Sequence, residues 1–236
     1  MSELISIDGD LRKENILIHL YYMILDDFDN NPKYYDYSES VIEPVTQKIK
    51  SNFTLKNIKF DDVVENFREF YWHKLSIDPT KIRPSGEALT RRILQNKKLP
   101  KINYFVDGYN WASAATRIPI GAYDLSKFSG AISLRHAKSG EKFLAIGGKR
   151  IELTGNELIT IADDGTILSQ FPYRDANETK ITKKTRRILV TLLGIDGIAK
   201  LELFNAANLV VEYLRKCKLP QASTFKASEP VYVSNF

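Results

Sequence analysis

The sequence predicts an α+β fold with mixed, largely antiparallel strands. Apolar residues recur at helical spacing through most of the first half of the chain. Five short segments with strand character then follow between residues 131 and 171. The connections between these strands are too short for crossover helices, so the strands pair as antiparallel hairpins. A further apolar strand and an amphipathic helix complete the pattern.

The first elements are a strand and a short helix. Residues 16–25 are β-branched and aromatic and precede a polar stretch over residues 26–38, which predicts a buried strand followed by a loop. Val45, Ile49 and Phe53 lie at helical spacing, and Pro44 is tolerated in a first helical turn.

Three helices are predicted next. Asp62 and Glu65 form a capping-box pattern at the start of a helix over residues 62–75. Ser85 is the expected N-cap of a helix over residues 86–96. A third helix begins near Asn103, and its spacing places Asp107, Asn110 and either Ser113 or Ala114 along one side.

The second half consists of strands and a final helix. Gly147-Gly148 and Asp164-Gly165 supply the positive φ angles that tight hairpins require. Residues 187–193 predict another buried strand, and the apolar residues from Leu201 to Leu214 predict a helix that ends near Cys217. The five hairpin strands are expected at residues 131–136, 142–146, 150–153, 157–163 and 166–171.

The length of 236 residues and the 43% hydrophobic content are sufficient for one globular domain with a sizeable core. We expect an amino-terminal strand and helix in residues 1–60, a core over residues 61–217 and an irregular tail over residues 218–236. Cys217 is the single cysteine, which forbids an intramolecular disulfide and fits a reducing cytoplasm. The acidic amino terminus does not resemble a signal peptide, and the longest apolar run, residues 16–25, is too short to span a bilayer. A cytoplasmic protein without a membrane partner is expected.

The net charge of +5 is compatible with a polyanionic partner without requiring one. Two basic groups are candidates for RNA contact, and their alternatives are a solvated helix face for the first and a charged edge strand for the second. The first group contains Arg91, Arg92, Lys97 and Lys98. The second contains Lys180, Lys183, Lys184, Arg186 and Arg187.

Familiar catalytic signatures are absent from the sequence. It has no nucleophile elbow, no phosphate-binding glycine loop and no zinc-ligand pair at helical spacing. Asp26 to Asp29 lack the glycine and the closing glutamate of a calcium loop, so a solvated loop is expected there. We therefore predict no metal and no cofactor. Hydrolysis by a positioned water molecule remains compatible with the sequence, because it needs orienting groups rather than a reactive side chain.

One ordered series of motifs runs through the middle of the chain. Its first motifs are Pro84-Ser85-Gly86-Glu87, Ile102-Asn103, Val106-Asp107, Asn110 and Pro119-Ile120-Gly121-Ala122-Tyr123-Asp124. Its later motifs are Gly130-Ala131-Ile132, Arg135-His136-Ala137, Gly140-Glu141-Lys142, Gly147-Gly148 and Ile161-Ala162-Asp163-Asp164. This series resembles the editing domain of the phenylalanyl-tRNA synthetase beta subunit, and the resemblance covers about two thirds of the chain, from residue 61 to residue 217.

The resemblance implies a layered β/β/α sandwich with a pocket where helix and sheet meet. It also implies translation quality control by hydrolysis of the ester of a mischarged tRNA. Because the chain has no room for a synthetase body, the resemblance implies action on tRNA in trans. The expected partners are tRNA and an aminoacyl ester or amino acid, and no DNA partner is expected.

The chain departs from the family pattern at two places. The family typically carries Pro-Met-His-Ala-Phe-Asp where this chain has residues 119–124, so Gly121 replaces the histidine of the editing pocket. The later glutamate of the family has no clear counterpart, and Tyr173-Arg174-Asp175 occupies that region. The pocket therefore accepts a different amino acid or has lost hydrolysis.

The resemblance assigns roles to individual residues. Arg174 and Asp175 would orient ester and water, and Asp107 and Asn110 would hold the terminal adenosine or the amino group. In the structural alternative, the first two form an ordinary surface pair and the other two cap and crosslink the junction of sheet and helix. The predicted catalytic residues are Asn110, Arg174 and Asp175. The predicted substrate-binding residues are Glu87, Asp107, Ser113, Gly121, Tyr123 and Asp124. The predicted RNA-binding residues are Arg91, Arg92, Lys97, Lys98, Lys183, Lys184, Arg186 and Arg187.

Two other functions stay open at this point. The first is a noncatalytic module that binds tRNA or an amino acid and assists another protein. The second is a small-molecule esterase or amidase, which the absence of a visible nucleophile disfavours.

Overall fold

The computed structural model describes residues 4–32, 34–219 and 225–236. The α-helices of these residues are α1 (Gly9–Lys13), α2 (Glu43–Asn52), α3 (Asp62–His73), α4 (Ser85–Leu94), α5 (Tyr104–Thr116) and α6 (Lys200–Lys216). The strands are β1 (Ile5–Ile7), β2 (Ile18–Asp26), β3 (Ile120–Asp124), β4 (Ile132–His136), β5 (Lys142–Leu144), β6 (Arg150–Glu152), β7 (Leu158–Ala162), β8 (Ile167–Gln170), β9 (Arg174–Asp175), β10 (Ile188–Ile195), β11 (Lys226–Ala227) and β12 (Val231–Ser234).

The central sheet is built around the two longest strands, β2 and β10. These pair antiparallel along eight residues, and β3 adds to the free edge of β10. Both strands are rich in Ile, Leu, Val and Tyr and are buried on both faces, as expected of strands in the middle of a layered domain. β11 and β12 pair with the other edge of β2.

The outer sheet has the order β1-β4-β7-β8-β9. β1 runs parallel to β4, and the remaining pairs are antiparallel. Leu20 and Tyr22 of the central sheet share a buried apolar cluster with Ile132 and Leu168 of the outer sheet. The two sheets therefore pack face to face.

The helices cover the opposite face of the central sheet. Tyr21, Met23 and Leu25 of β2 alternate with the residues that face the outer sheet, and they belong to the main core together with residues of the helices. In that core, α6 packs against β2 and β10 while α5 packs against α6 and α4. The predicted fold class is confirmed: the chain is an α+β protein with β/β/α layers and mixed, largely antiparallel sheets.

The hairpin of β5 and β6 lies against the far face of the outer sheet. Phe143 packs there with Ile159 and Ile167. Gly147 and Gly148 form its turn with φ values of 95° and 85°, which confirms the predicted requirement for left-handed backbone.

Two helix starts differ from the predictions. The N-cap of α3 is Asp61, whose carboxylate accepts a hydrogen bond from the Val64 amide, so the cap lies one residue before the predicted Asp62. Ser85 is the first residue of α4 rather than its cap, because the extended backbone of Pro84 already provides the entry to the helix. The next residue, Gly86, lies so close to Arg117 that an added Cβ would be 2.1 Å from its carbonyl oxygen.

Two loop predictions also need correction. The tail contains β11 and β12 rather than irregular chain alone, because its few apolar residues pair with an open edge of β2; residues 220–224 of the tail lie outside the described part of the chain. The second basic group is not an edge strand but lies in the connection between β9 and β10. Within the described ranges, no helix has both the length and the apolar character needed to cross a membrane.

Candidate functional site

The structure distributes most of the predicted site residues over four places. Gly121, Tyr123 and Asp175 lie between the two sheets. Asp107 and Asn110 of α5 line a cavity in the helical layer, which we call the helix-side cavity. Glu87 lies in a buried ion cluster, and the basic residues lie in surface segments. Ser113, Asp124 and Arg174 lie outside these four places.

The inter-sheet polar cluster consists of Tyr123, Thr160, Ser169 and Asp175. The hydroxyl of Tyr123 donates to Oδ1 of Asp175 over 3.4 Å. Ser169 pairs with Asp175 in the sheet, and its hydroxyl lies 2.7 Å from that of Thr160. The Tyr123 hydroxyl also interacts with these two hydroxyls. Four polar side chains therefore converge in an otherwise apolar layer.

Asp175 is the titratable group of this cluster. Burial raises its pKa well above the ordinary value, to about 6, and the hydrogen bond from Tyr123 partly opposes that rise. Its second carboxyl oxygen has no hydrogen-bond partner among the described residues. A half-buried carboxylate with a free oxygen and a pKa near neutrality is suited to accept a proton from water.

Gly121 lies on β3, two residues before Tyr123 and on the same face of the strand. A Cβ at this position would lie 3.3 Å from the Tyr123 hydroxyl and 3.0 Å from the Thr191 hydroxyl. The two hydroxyls therefore occupy the space into which a side chain at position 121 would project. A glycine fits at position 121 because these two hydroxyls leave little room for a side chain. The hydroxyls lie where the polar group of a longer side chain at this position would otherwise lie.

Arg174 does not form the surface pair with Asp175 that was one of the two alternatives. Neighbouring residues of a strand point to opposite faces, so Arg174 turns away from the inter-sheet cluster. Its guanidinium lies 5.4 Å from the ring centroid of Tyr173 and forms no ion pair with a described carboxylate.

The helix-side cavity has a volume of about 450 Å³. It lies between α5, α2, the loop at residues 35–38 and the connection at residues 96–101. Asp107 and Asn110 line it as predicted for neighbours on one helix side, whereas Ser113 is fully buried and donates to the carbonyl oxygen of Ile118. Asp107 and Asn110 therefore share the cavity, whereas Ser113 does not reach it.

The Asp107 carboxylate is held firmly in the wall of this cavity. It accepts hydrogen bonds from the Tyr35 hydroxyl over 2.9 Å and from the Ile102 amide over 2.8 Å. Burial nevertheless raises the pKa of Asp107. The hydrogen bonds and the positive charge of nearby Lys101 both oppose that rise. The amide of Asn110 has no hydrogen-bond partner among the described residues, so it is available to a ligand.

Glu87 and Asp124 are occupied by protein partners. Glu87 is 1% exposed and forms ion pairs with Arg68 and Arg91. Asp124 accepts hydrogen bonds from the hydroxyls of Ser126 and Thr185. The contacts of Asp124 connect β3 to the loop that carries Lys183 and Lys184.

The basic groups differ in how far they are engaged. Arg91 is committed to Glu87, and Arg92 donates to the carbonyl oxygen of Lys98. Arg186 and Arg187 pair with Asp29 and Asp26. The lysine side chains at positions 97, 98, 183 and 184 form no ion pair with any carboxylate of the described residues.

Neither a metal centre nor a reactive thiol is evident in the described ranges. They contain no group of three or more His, Cys, Asp and Glu side chains placed to hold a metal ion. Burial raises the pKa of the Cys217 thiol to about 11, so it is protonated at neutral pH.

The sequence did not indicate several residues of the inter-sheet cluster and of the helix-side cavity. Thr160, Ser169 and Thr191 each occupy a strand position that the alternation of polar and apolar residues does not distinguish from a solvent-facing one. Tyr35 lies in a segment that reads only as a polar loop. Their contacts depend on pairing between distant strands and on the return of the loop to α5.

The family model described as the B3/4 domain matches residues 67–209. The phenylalanine–tRNA ligase beta subunit of Streptococcus pneumoniae R6 is 30% identical over 136 residues, which are 57% of this chain and 17% of that protein. The corresponding subunit of Chromobacterium violaceum is 37% identical over 103 residues, 44% of this chain and 13% of that protein. The chain thus spans less than a fifth of the length of these relatives.

Among solved structures, an N-terminal fragment of the phenylalanyl-tRNA synthetase beta subunit from Pyrococcus horikoshii is similar to this chain. The match has a TM-score of 0.49 and 13% identity, and it covers 96% of this chain and 50% of the fragment.

Proposed function

The chain belongs to the B3/4 domain family, and on that premise we propose that it hydrolyses the ester bond of an aminoacylated tRNA supplied in trans. The observation that carries this proposal is the contact between Tyr123 and Asp175 beside Gly121. Asp175 supplies a proton acceptor and Tyr123 supplies a hydroxyl. Tyr123 lies on β3, within the motif at residues 119–124 that resembles the family pattern.

In the proposed reaction, the free oxygen of Asp175 accepts a proton from a water molecule. The water oxygen attacks the ester carbonyl carbon, and the bond from that carbon to the ribose oxygen breaks. The proton held by Asp175 then passes to the departing ribose oxygen. At a pKa of about 6, the carboxylate is mostly ionised at neutral pH and can act as this base.

The hydroxyl of Tyr123 positions the proposed base. It donates its one proton to the Asp175 carboxylate and holds that group in one orientation, and its oxygen lies next to position 121, where the family pattern carries histidine. Thr160 and Ser169 in turn keep the tyrosine side chain in place. Orientation of this kind contributes substantially to hydrolysis of an ester that is already activated.

The unpaired lysines provide the contact with RNA. Lys183 and Lys184 are exposed in a loop that a hydrogen bond from Thr185 to Asp124 anchors to β3. Asp124 directly follows Tyr123 and lies three residues after Gly121, and both of those residues face the inter-sheet cluster. Phosphate groups of the acceptor end can bind there while the ester approaches Asp175. Arg174, whose guanidinium has no carboxylate partner in the described residues, is available for the same backbone.

A noncatalytic tRNA-binding module is the second candidate, and two observations favour it. Gly121 removes the imidazole that the family pattern places in its pocket, and the contact between Tyr123 and Asp175 is long for a hydroxyl donor. Such a module would retain salt-sensitive tRNA binding without accelerating hydrolysis.

Release of labelled amino acid from a panel of correctly and incorrectly charged tRNAs tests the two candidates. Protein-dependent release that is selective for one charged species supports the hydrolase. Salt-sensitive binding of tRNA with no release from any species supports the binding module and contradicts the hydrolase.

A further inference from the structure

Two segments of the helical layer form a basic surface that the proposed ester hydrolysis does not use. They are residues 44–60 and 88–106, and neither contains an Asp or a Glu. The segments meet where α2 packs against α4. The Arg91 guanidinium donates to the carbonyl oxygen of Leu55 over 3.2 Å, and the Lys50 ammonium donates to Oδ1 of Asn96 over 2.7 Å. The two segments therefore share one surface to which neither contributes a negative charge.

Most cations of this surface are lysines. Asp61 and Glu87, which directly adjoin the two segments in sequence, already pair with arginines. The surface therefore carries an excess of positive charge, which attracts an anionic partner. We call it the lysine surface, and its exposed side chains that form no ion pair with a described carboxylate are Lys48, Lys50, Lys56, Lys59, Arg92, Lys97 and Lys98.

Two large apolar side chains stand among these cations. Leu55 is 41% exposed and Phe60 is 65% exposed. Ile58, which lies between them, is fully buried, and its amide donates to the carbonyl oxygen of Thr54 over 3.1 Å, so the turn is anchored to the core. The Lys59 ammonium lies 4.7 Å from the centre of the Phe60 ring. The anchored turn thus holds apolar side chains outward, next to positive charges.

This combination fits an anionic bilayer better than RNA or an acidic protein. Surfaces rich in lysine that also expose Leu and Phe bind bilayers by inserting the apolar side chains, while the ammonium groups stay at the lipid headgroups. A phosphate backbone offers Leu55 no apolar environment, and protein interfaces are depleted in lysine. We propose that the lysine surface docks on a membrane of anionic phospholipids, with Leu55 and Phe60 inserted at the level of the headgroups.

Docking of this kind needs no membrane-spanning segment. The sequence predicts no membrane partner because its longest apolar run is too short to cross a bilayer, and contact with the bilayer surface does not require such a run. Leu55 and Phe60 lie before the family match at residues 67–209, so membership of the B3/4 family does not account for their exposure. Vesicle binding is measured without tRNA, so its outcome is independent of ester hydrolysis.

Sedimentation of the full chain with lipid vesicles tests the proposal. Vesicles of equimolar phosphatidylcholine and phosphatidylglycerol should bind the protein at least about tenfold more tightly than vesicles of phosphatidylcholine alone, because the lysines require anionic headgroups. Rising salt should weaken this binding, since it screens exposed charges.

The apolar contribution is tested by the combined change Leu55→Ala and Phe60→Ala. It should weaken binding to the mixed vesicles by about tenfold or more, because both side chains lose their insertion into the bilayer. Ile146→Ala is the matched control, since Ile146 is 53% exposed in the β5–β6 turn, and it should bind like the wild type.

The combined change Lys56→Ala and Lys59→Ala tests the electrostatic contribution. It should weaken binding to the mixed vesicles by about tenfold or more and reduce the effect of salt. Lys138→Ala with Lys149→Ala removes the same charge from exposed positions outside the lysine surface and should bind like the wild type.

Two results overturn the proposal directly: no binding of the wild type to the mixed vesicles, and equal binding by the wild type and the apolar double variant. Filter binding of tRNA distinguishes the alternative partner. Loss of tRNA affinity in the Lys56 and Lys59 double variant, with no vesicle binding by the wild type, assigns the lysine surface to RNA and overturns membrane docking.

Discussion

The hydroxyl of Tyr123 lies 3.4 Å from Oδ1 of Asp175, so a hydrogen bond connects the central sheet to the outer sheet across their common apolar layer. Asp175 follows Tyr123 by 52 residues, and the two meet because β3 and β9 lie in facing sheets. The hydrogen bond fixes the orientation of the carboxylate, while burial between the sheets raises its pKa.

Asp175→Asn is expected to stabilise the protein at neutral and alkaline pH. The folded-state pKa of about 6 lies above the ordinary value, so the destabilising contribution of ionised Asp175 grows as pH rises and is complete above pH 6. The asparagine variant cannot ionise, so its unfolding free energy should exceed that of the wild type by up to about 3 kcal/mol at pH near 8.

Urea unfolding at several pH values measures this difference, which should shrink as pH falls below about 6 and disappear below the ordinary aspartate pKa. Asp27→Asn is the control, because Asp27 is exposed and already adopts a positive φ that asparagine tolerates. An advantage of Asp175→Asn that is constant with pH contradicts the assignment of a raised pKa.

Tyr123→Phe is expected to raise the pKa of Asp175 further. The tyrosine hydroxyl donates to the carboxylate and favours its ionised form, so its removal leaves burial unopposed. The rising limb of the pH profile of hydrolysis should therefore move to higher pH. Tyr34→Phe, at a tyrosine that is 58% exposed, should leave the profile in place.

Gly121→Ala is expected to destabilise the fold by about 1–3 kcal/mol, because the new methyl group crowds two hydroxyls. Tyr123→Phe should recover part of this loss, since it removes one of them. A double-mutant cycle from denaturant unfolding measures the coupling, and additive effects would contradict the proximity of position 121 to the tyrosine hydroxyl. Gly9→Ala is the control, since a Cβ there meets nothing within 4 Å.

Glu87→Gln is expected to act on stability rather than on substrate binding. It leaves two arginines, Arg68 and Arg91, without their buried partner, which should cost about 3 kcal/mol or more. Thermal and chemical unfolding measure the loss, with the exposed Glu229→Gln as the control. Full stability with a weakened affinity for substrate would instead assign Glu87 to the binding site.

The combined change Lys183→Ala and Lys184→Ala is expected to weaken tRNA binding and to reduce its dependence on salt. Each lost phosphate contact lowers the slope of log affinity against log salt by about 0.7 to 0.9. Filter binding over a salt series measures the slope. Lys138→Ala with Lys149→Ala removes the same charge elsewhere, and an equal reduction of the slope by this control pair would show a general charge effect.

The sequence was sufficient for the parts of the fold that follow local rules. Uninterrupted runs of β-branched and apolar residues predict β2 and β10, and helical spacing after Asn103 predicts α5. In the structure the Asn103 side chain caps that helix by accepting from the Val106 amide. The hairpin turns followed from glycines that require positive φ. These features depend on neighbours in sequence, so periodicity and turn chemistry reveal them.

The site depends on contacts that no local pattern encodes. Asp175 and Arg174 look like one surface pair in sequence, yet their alternation on β9 sends one toward Tyr123 and the other toward Tyr173. Tyr35 reads as a loop residue, although its hydroxyl fixes Asp107 from 72 residues away. The tail was predicted to be irregular because a two-residue and a four-residue strand are too short to produce a recognisable alternation.

Single-turnover release of labelled amino acid from aminoacyl-tRNA, with the protein in excess, tests the role of Asp175 most directly. The wild type should accelerate release from at least one charged species, and Asp175→Asn should lose about a hundredfold or more of that acceleration, as expected for loss of a general base. Asp27→Asn should match the wild type. Equal release by the wild type and Asp175→Asn, or no acceleration of any species by the wild type, would contradict hydrolysis at Asp175.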